Sequence, residues 1–279
     1  MSKGKGNPKK NISLILGIIL ISIVLLFWLI SFIWLPHNPA EMNTSLRCLK
    51  PFQNPGFILG TDNFGRDVLS RMLVGSRSVL LVGVVSVAAG AAAGTLFGAA
   101  AGIFKGFVSS FIMRAADGLM AFPGILLAMM MVAVIGKGNT GAIISISLFI
   151  VPVFTRLVYS LILENENLLF VKAAKSHGIT GFGLLYRHYI PVFLPRLVTQ
   201  FTSCIASAIM IEASLSLLGL GIQPPNASWG LMLNDAKQYF LQYPYLALPP
   251  GIAIAVTVMG FNLLGDGLNE RLMSRRSKQ

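Results

Sequence analysis

The side chains that ordinarily carry chemistry are few in this sequence and poorly placed for it. Its three histidines, His37, His177 and His188, are scattered, and none stands in the H-E-x-x-H or paired arrangement that holds a metal. Cys48 lies in a polar stretch and Cys204 in an apolar one, which suits neither a disulfide framework nor a metal cluster. No G-x-x-x-x-G-K-[ST] run is present to cradle nucleotide phosphates, and no G-x-S-x-G elbow to present a nucleophilic serine. What remains is a handful of charges set in apolar surroundings: Arg114 and Asp117, Glu212, and Asp266 with Arg271 in local reach. Arg114 and Asp117 are three apart, so they share a helix face and can pair, with snorkelling to an interface the expected outcome. An ionised Glu212 inside an apolar run is costly and must face a partner or water; a structural hydrogen bond and a place on a solute pathway both stay open. No catalytic residue, metal site or cofactor is predicted for this chain.

The elements that position these residues are long apolar blocks. The chain has 279 residues, is 54% hydrophobic and 11% charged, whereas a soluble domain carries about a quarter charged residues. From Ile12 to Leu35 there is no charged side chain. As a helix this run reaches roughly 36 Å, enough to cross a hydrocarbon core of about 30 Å. Lys3, Lys5, Lys9 and Lys10 precede it, as in a signal peptide, but the run is too long for one and no small-x-small cleavage site follows. Further blocks lie at 79–102, 107–135, 142–163, 197–220 and 246–268. Unpaired backbone groups cost several kcal/mol each in lipid, so these blocks are helices. The reading is an all-α integral membrane protein of six transmembrane helices. Its parts are a cytoplasmic tail 1–11, a first span 12–35, an extracytoplasmic polar segment 36–77, a five-helix core 78–268 and a cytoplasmic tail 269–279.

Charge sets the orientation. Lys and Arg collect in cytoplasmic loops, and both tails are basic, the last with Arg271, Arg275, Arg276 and Lys278. Lys172, Lys175 and Arg187 fall between the fourth and fifth blocks, while the loop after the third has only Lys137. The segment before span two breaks the trend with Arg47, Lys50, Arg66, Arg71 and Arg77, for which Asp62 and Asp67 are available partners. The net charge of +12 therefore orients helices in a lipid bilayer; no nucleic-acid partner is implied.

Three stretches stand out. Gly90, Gly94, Gly98 and Gly102 recur every four residues in span two and predict a close helix contact, within the subunit in the first instance and between subunits as the alternative. From Glu164 to Gly178 a short polar-flanked helix is expected outside the membrane, about 165–178, with Asn165 or Asn167 as N-cap and Gly178 as the left-handed stop. Leu168, Val171 and Ala174 or Ala173 would share a face, either seated in a groove of another protein or resting on lipid headgroups. Between Asn226 and Tyr245, Trp229, Tyr239, Phe240, Tyr243 and Tyr245 accompany Asp235 and Lys237. An interfacial anchor is the default, and a docking face for a solute receptor is the alternative.

These residues bring a resemblance into view. Ala173-Ala174-x-x-x-Gly178, with Ile190-Pro191 further on, resembles the coupling motif of bacterial ABC importer permeases, although Lys172 stands where that motif has Glu. Leu59-Gly60-Thr61-Asp62-Asn63-Phe64-Gly65-Arg66-Asp67-Val68-Leu69-Ser70-Arg71 resembles the segment before span two of the dipeptide/oligopeptide/nickel permeases. So do the run Glu212 to Gly221 with Gly219, followed by Pro224-Pro225 and Trp229-Gly230, and the ending Asn262 to Leu268 around Asp266. The resemblance covers most of the chain from Leu59 onward and points to the second, C-type, permease of such systems, with a type I ABC importer permease fold. It implies import of di- or oligopeptides, or of nickel or a metal chelate, by alternating access. It also implies a second homologous permease, two cytoplasmic ATPases that bind the ATP and Mg, and an extracytoplasmic solute-binding protein. The motif helix, with Leu168, Val171, Lys172, Ala173, Ala174, Gly178 and Pro191, would dock on the ATPase. An ion-coupled secondary carrier is the competing class, but the internal repeat expected of one is absent from the sequence.

Overall fold

The computed structural model describes residues 8–179 and 181–276. Lys3, Lys5 and Lys278, and the side chains of Lys9, Lys10, Lys175, Arg275 and Arg276, lie outside the described residues. In chain order the long helices are α1 (Pro8–Ile33), α2 (Val68–Ile103), α3 (Phe107–Met120), α4 (Gly124–Ile135), α5 (Asn139–Asn165), the short α6 (Leu169–Ser176) and α7 (Gly181–Leu184), then α8 (Ile190–Leu217), α9 (Trp229–Lys237) and α10 (Leu248–Arg276). Five of the helical stretches are long and apolar enough to cross a membrane. A sixth crossing comes from α3 and α4, which meet at 95°.

The contact between α2 and α5 shows why that bent pair is one crossing. A Cβ on Gly90 would fall 2.6 Å from Ile150 Cβ, one on Gly98 2.5 Å from Thr155 O, and one on Gly102 2.8 Å from Ile162 Cδ1; Gly94 abuts Val151 O and Phe154. Numbers rise together along both helices, so α2 and α5 run parallel. The chain between them must return across the bundle, and only α3 and α4 are available to do so. Pro123 makes the break: it removes a backbone donor and sits as the residue before α4, with ψ 131 outside the helical range. The α4 end is tied to the far side by Gly138 N–H donating to Gly221 O at 3.0 Å.

The remaining helices close around this pair. Gly83 of α2 faces Ile209 and Ile205 of α8. On α10, Gly265 packs on Thr202 and Ser203 of α8, while Gly260 and Gly267 pack on Ile21 and Leu14 of α1. Gly17 of α1 completes that contact against Leu264. Here numbers rise on one helix as they fall on the other, so α1 and α10 are antiparallel and the described chain ends lie at the same end of the bundle. Small residues serve because apolar burial does not drive helices together in lipid, and close backbone approach does. Two apolar clusters result. The larger runs through α2, α4, α5, α8 and α9; the smaller joins Ala99, Val158, Leu161 and Ile162 to Val171, Ala174, Leu184, Tyr189 and Phe193 around α6 and α7.

Several expected boundaries move. α1 begins at Pro8 and α10 runs on to Arg276, so much of what read as tail is helix. α2 begins ten residues before the expected 78, because Asp67 caps it by accepting from Ser70 N–H at 2.9 Å. Its 36 residues make a rod of about 54 Å at ~1.5 Å per residue, so it projects beyond any hydrocarbon core into the polar segment. α8 likewise starts early, at Ile190, running on from the helical turn Leu185–Tyr189, with Pro191 at its second position and Pro195 inside it, each lacking a backbone donor.

The glycine contact generates a test. Gly94→Ala places a methyl on the backbone of α5, whereas a Cβ on Gly118 of α3 meets nothing within 4 Å. We expect Gly94→Ala to destabilise the folded chain by about 1–3 kcal/mol, the scale of an overpacked core. Gly118→Ala should leave thermal unfolding in detergent unchanged or slightly raised.

Candidate functional site

At the loop end of the bundle, the 34–67 segment is fastened to α2 and α9 by a buried charge cluster. The turn Asp62 to Arg66 is closed by Asp62 Oδ1, which accepts from Phe64 N–H (2.8 Å) and Arg66 N–H (3.0 Å). Gly65 in this turn has φ +76, and a Cβ there would strike the Asn43 carbonyl, so the position needs glycine on both counts. Arg66 Nε donates to Asp62 Oδ2 at 2.6 Å and its Nη2 to Asp235 Oδ2 at 2.7 Å. Arg71 Nη2 reaches the same Asp235 oxygen at 3.3 Å. Arg66 and Arg71 are 4% and 1% exposed, so the two carboxylates are their solvation. The sequence named Asp62 as a partner but missed Asp235, 169 residues from Arg66; no local pattern connects them. Asp67, also expected to pair with an arginine, instead caps α2. Thr61 Oγ1 donates to Leu46 O, and Leu49 N–H donates back to it at 3.0 Å. Gly60, at φ +74, packs on Leu49 O.

Trp229 does not sit at an interface as its neighbours in sequence suggested. It is fully buried against Gly75, and Nε1 donates to Met72 O at 3.0 Å. Tyr245 OH donates to Cys48 O at 2.5 Å. Burial pushes the Cys48 thiol above its ordinary value, against the pull of Arg47 and with a further push from Asp62; the neutral thiol is no nucleophile.

Glu212, on α8, is fully buried, and its Oε1 accepts from Ser216 Oγ at 2.7 Å. The same hydroxyl accepts from Ile222 N–H at 3.1 Å. Gly221 packs on Ser216, Gly230 packs on Ala213 and Ser216, and Gly219 turns the chain at φ +73. The motif Glu212 to Gly221 and the Trp229-Gly230 pair are thus one construction, folding the end of α8 against the start of α9. Asp266 lies apart from it, exposed on α10 between the packed Gly265 and Gly267.

At the other end, α6 is shorter than expected and differently capped. Asn165 ends α5, and its Nδ2 donates to Leu161 O at 2.7 Å, so it is not an N-cap. Gly178 follows α6 at φ +78, the left-handed stop. Val171 is fully buried and Ala174 is 6% exposed, both in the smaller apolar cluster. They therefore face the bundle, and the outward face carries Leu169 (85% exposed), Lys172, Ala173 and His177. Leu168 is half-exposed at the entry. Beneath α6, Leu185–Tyr189 form a π-helical turn before Pro191, with Tyr189 stacked on Phe193 at 5.3 Å. Exposed ion pairs ring this end: Lys105–Glu166 at 2.6 Å, Arg196–Glu164 at 2.7 Å and Arg156–Asp117 at 3.1 Å. Arg156 on α5, and not Arg114, is the ion-pair partner found for Asp117, because α3 packs on α5. Among the described residues no group of three or more His, Cys, Asp or Glu could hold a metal.

From the end of α2 onward the sequence of this bundle matches a family model. The model for the inner membrane component of binding-protein-dependent transport systems covers residues 94–278, about two-thirds of the chain. The chain belongs to this family of binding-protein-dependent transport system inner membrane components. Among curated proteins it is 46% identical over 213 residues to a glutathione transport system permease protein, GsiD, of Escherichia coli O6:K15:H31, covering 76% of this chain and 70% of that protein. The GsiD of Pectobacterium atrosepticum is 40% identical over 214 residues, 77% of this chain and 71% of that one. This inner membrane component is accordingly a multi-pass transport permease of the ABC type. The matched region takes in α6 and the Glu212 construction, but not the Asp62–Arg66 turn.

The charge cluster yields a prediction. Asp235→Ala leaves two buried guanidiniums with Asp62 alone and should cost about 3–5 kcal/mol, the scale for stripping one partner from a buried pair. Limited proteolysis should then cut within 34–67. Lys105→Ala, which breaks an exposed pair, should change stability by no more than about 1 kcal/mol.

Proposed function

We propose that this chain is one of two permease subunits of an importer driven by separate cytoplasmic ATPases, and that it carries small peptides inward by alternating access. The observation that carries the reading is the two-faced α6. Its inner face, Val171 and Ala174, is locked into an apolar cluster with the ends of α2, α5 and α8, so a push on α6 moves those ends. Its outer face, Leu169, Lys172 and Ala173, is bare. An extracytoplasmic binding protein would deliver the solute, and ATP and Mg would be held by the ATPases.

Orientation follows the basic residues. Lys105, Arg114, Arg156, Lys172, Arg187 and Arg196 lie at the α6 end, which the positive-inside tendency assigns to the cytoplasm. Arg66 and Arg71 at the other end are consumed in the buried cluster with Asp62 and Asp235. The described chain ends share the α6 side, so both tails would be cytoplasmic. A groove of about 460 Å³ between α2, α5 and α8, walled by Ala91, Thr95, Phe154, Leu197 and Phe201, is the place where a moving bundle could open a path.

The curated relatives are named for glutathione transport, which favours a tripeptide-sized cargo over nickel or a chelate. Because the outer face of α6 contains Ala173 and not Val171, a bulky charge at Ala173 should uncouple transport without disturbing the fold. With the complete transporter in proteoliposomes, we expect Ala173→Arg to insert normally and to lose at least about tenfold of peptide uptake, the effect of breaking a central interface contact. Wild-type uptake and ATPase stimulation in that variant would refute the reading.

A further inference from the structure

One ion pair at the α6 end lies deep in the bundle, beside the broken span. Along α5 the residues from Asn139 to Leu163 are uncharged except Arg156, which stands eight residues before Glu164, about 12 Å along the axis at ~1.5 Å per residue. Its side chain does not reach back toward Glu164 and Glu166. Nη2 lies 3.1 Å from Asp117 Oδ1 and Nη1 meets Met120 Sδ at 3.8 Å, so it points to the last turn of α3. Just beyond, Gly124 at the head of α4 packs on Phe149 of α5. The break at 121–123 therefore stands level with the middle of α5. Ala121, Phe122 and Pro123 are exposed, and Arg156 and Asp117 are each 52% exposed. Lipid accommodates neither: non-helical backbone and ionised side chains at this depth line protein or a water-filled cavity. Such a cavity begins one turn away. About 330 Å³ lies open between α2, α3 and α5 on the α6 side, walled by Lys105, Ser109, Ser110 and Tyr159. Ser110, Arg114 and Asp117 follow at steps of four and three on α3, and Arg156 and Tyr159 are three apart on α5, so the cavity and the ion pair share a face of each helix.

We propose that this face is a transit site for the charged ends of a small peptide, whose carboxylate takes Arg114 and whose ammonium takes Asp117. The proposal rests on the reading of the chain as a peptide-importing permease and adds which residues meet the cargo. Two guanidiniums stand against one carboxylate here, and Arg114, which is exposed, has no ion-pair partner among the described residues. A face closed against protein would need a counter-charge for each group. A wetted path needs none, and a peptide with free termini brings both signs. Its carboxylate supplies the charge that Arg114 lacks, and its ammonium shares Asp117 with Arg156. Arg156 is the positioning residue, since it holds the Asp117 carboxylate toward the break while the site is empty. Half-exposed ion pairs are weak, so the peptide is held without a deep well. A transit site needs that balance, because cargo must leave as readily as it enters.

Two measurements on the complete transporter test the site. Gly118 is four residues from Arg114 and so on its face, and a Cβ there meets nothing within 4 Å. In nanodiscs without ATP, Gly118→Cys should react with a charged, water-soluble thiosulfonate. Its rate should be at least about tenfold above that of Ile19→Cys, an exposed position in the uncharged run of α1, because a thiol in water forms thiolate far more readily than one in lipid. Equal rates would put lipid or protein against this face and overturn the proposal. In proteoliposomes, Arg114→Gln should lower trialanine uptake about tenfold, the scale of one charge-assisted hydrogen bond, and uptake of trialanine amide, which lacks the carboxylate, by less than about twofold. Arg114→Lys should restore most of the trialanine uptake. The same binding protein serves every arm, so its preference cancels in each ratio of variant to wild type. An equal fall for both peptides, or wild-type trialanine uptake in Arg114→Gln, would also overturn the proposal. Failure of the two readings is distinguishable: no trialanine uptake by the wild-type transporter would sink the function proposed above, whereas normal uptake with an indifferent Arg114 would sink the transit site alone.

Discussion

Between α2 and α5 there is room for backbone and little else, and that constraint organises the bundle. Lipid offers no water to expel, so helices hold together only where surfaces meet closely. Four glycines at four-residue spacing give α2 a side-chain-free strip, and Ile150, Phe154, Val158 and Ile162 of α5 lie along it. Because the two helices run parallel, the chain between them must cross back, which forces the broken pair α3 and α4 into one span. The same contact carries the ends of both helices to α6, where Ala99, Val158, Leu161 and Ile162 become the floor beneath Val171 and Ala174. A rigid α2–α5 unit is therefore what would let a small helix outside the membrane address the whole bundle.

The opposite end is built on different physics. There the chain folds 34–67 over the projecting start of α2; buried ions and the Trp229 indole N–H tie this end to α9, and the Tyr245 hydroxyl, beyond α9, donates to Cys48 O. Ionic links between segments far apart in sequence specify one arrangement, since a misplaced loop would bury an unpaired charge. The Glu212–Ser216 pair does the same for the turn from α8 to α9. Polar groups thus fix the cap, and small residues fix the bundle.

Much of this was legible in the sequence. Blocks without charge announce spans, and glycines every four residues announce a contact, because each obeys a local period. Pro123 breaks the 107–135 block at an angle that no local period gives, because it depends on where α4 must end. What stayed hidden was long-range. Asp235 is separated from Arg66 by most of the chain, so its pairing has no sequence signature. The inward face of α6 was misjudged because Val171 and Ala174 read as an exposed apolar stripe until the ends of α2 and α5 were placed beneath them. Trp229 looked interfacial because aromatic residues surround it in sequence, yet the glycine it packs on, Gly75, lies in another helix. The early start of α2 was missed because Arg71 and Arg77 argued for loop; the first is neutralised by the cluster, and the second donates to Ser31 Oγ at 2.7 Å and lies over Phe32 at 4.1 Å.

The central claim is that the bare face of α6 is the handle by which another protein moves the bundle. Site-specific disulfide capture tests it most directly. With Lys172→Cys in the assembled transporter and single cysteines along the groove of the ATPase, the account predicts rapid cross-linking, changing with nucleotide state, while a cysteine at the inward-facing Val171 stays unlinked. Capture at Val171 with none at Lys172, or capture of lipid-side probes alone, would contradict it.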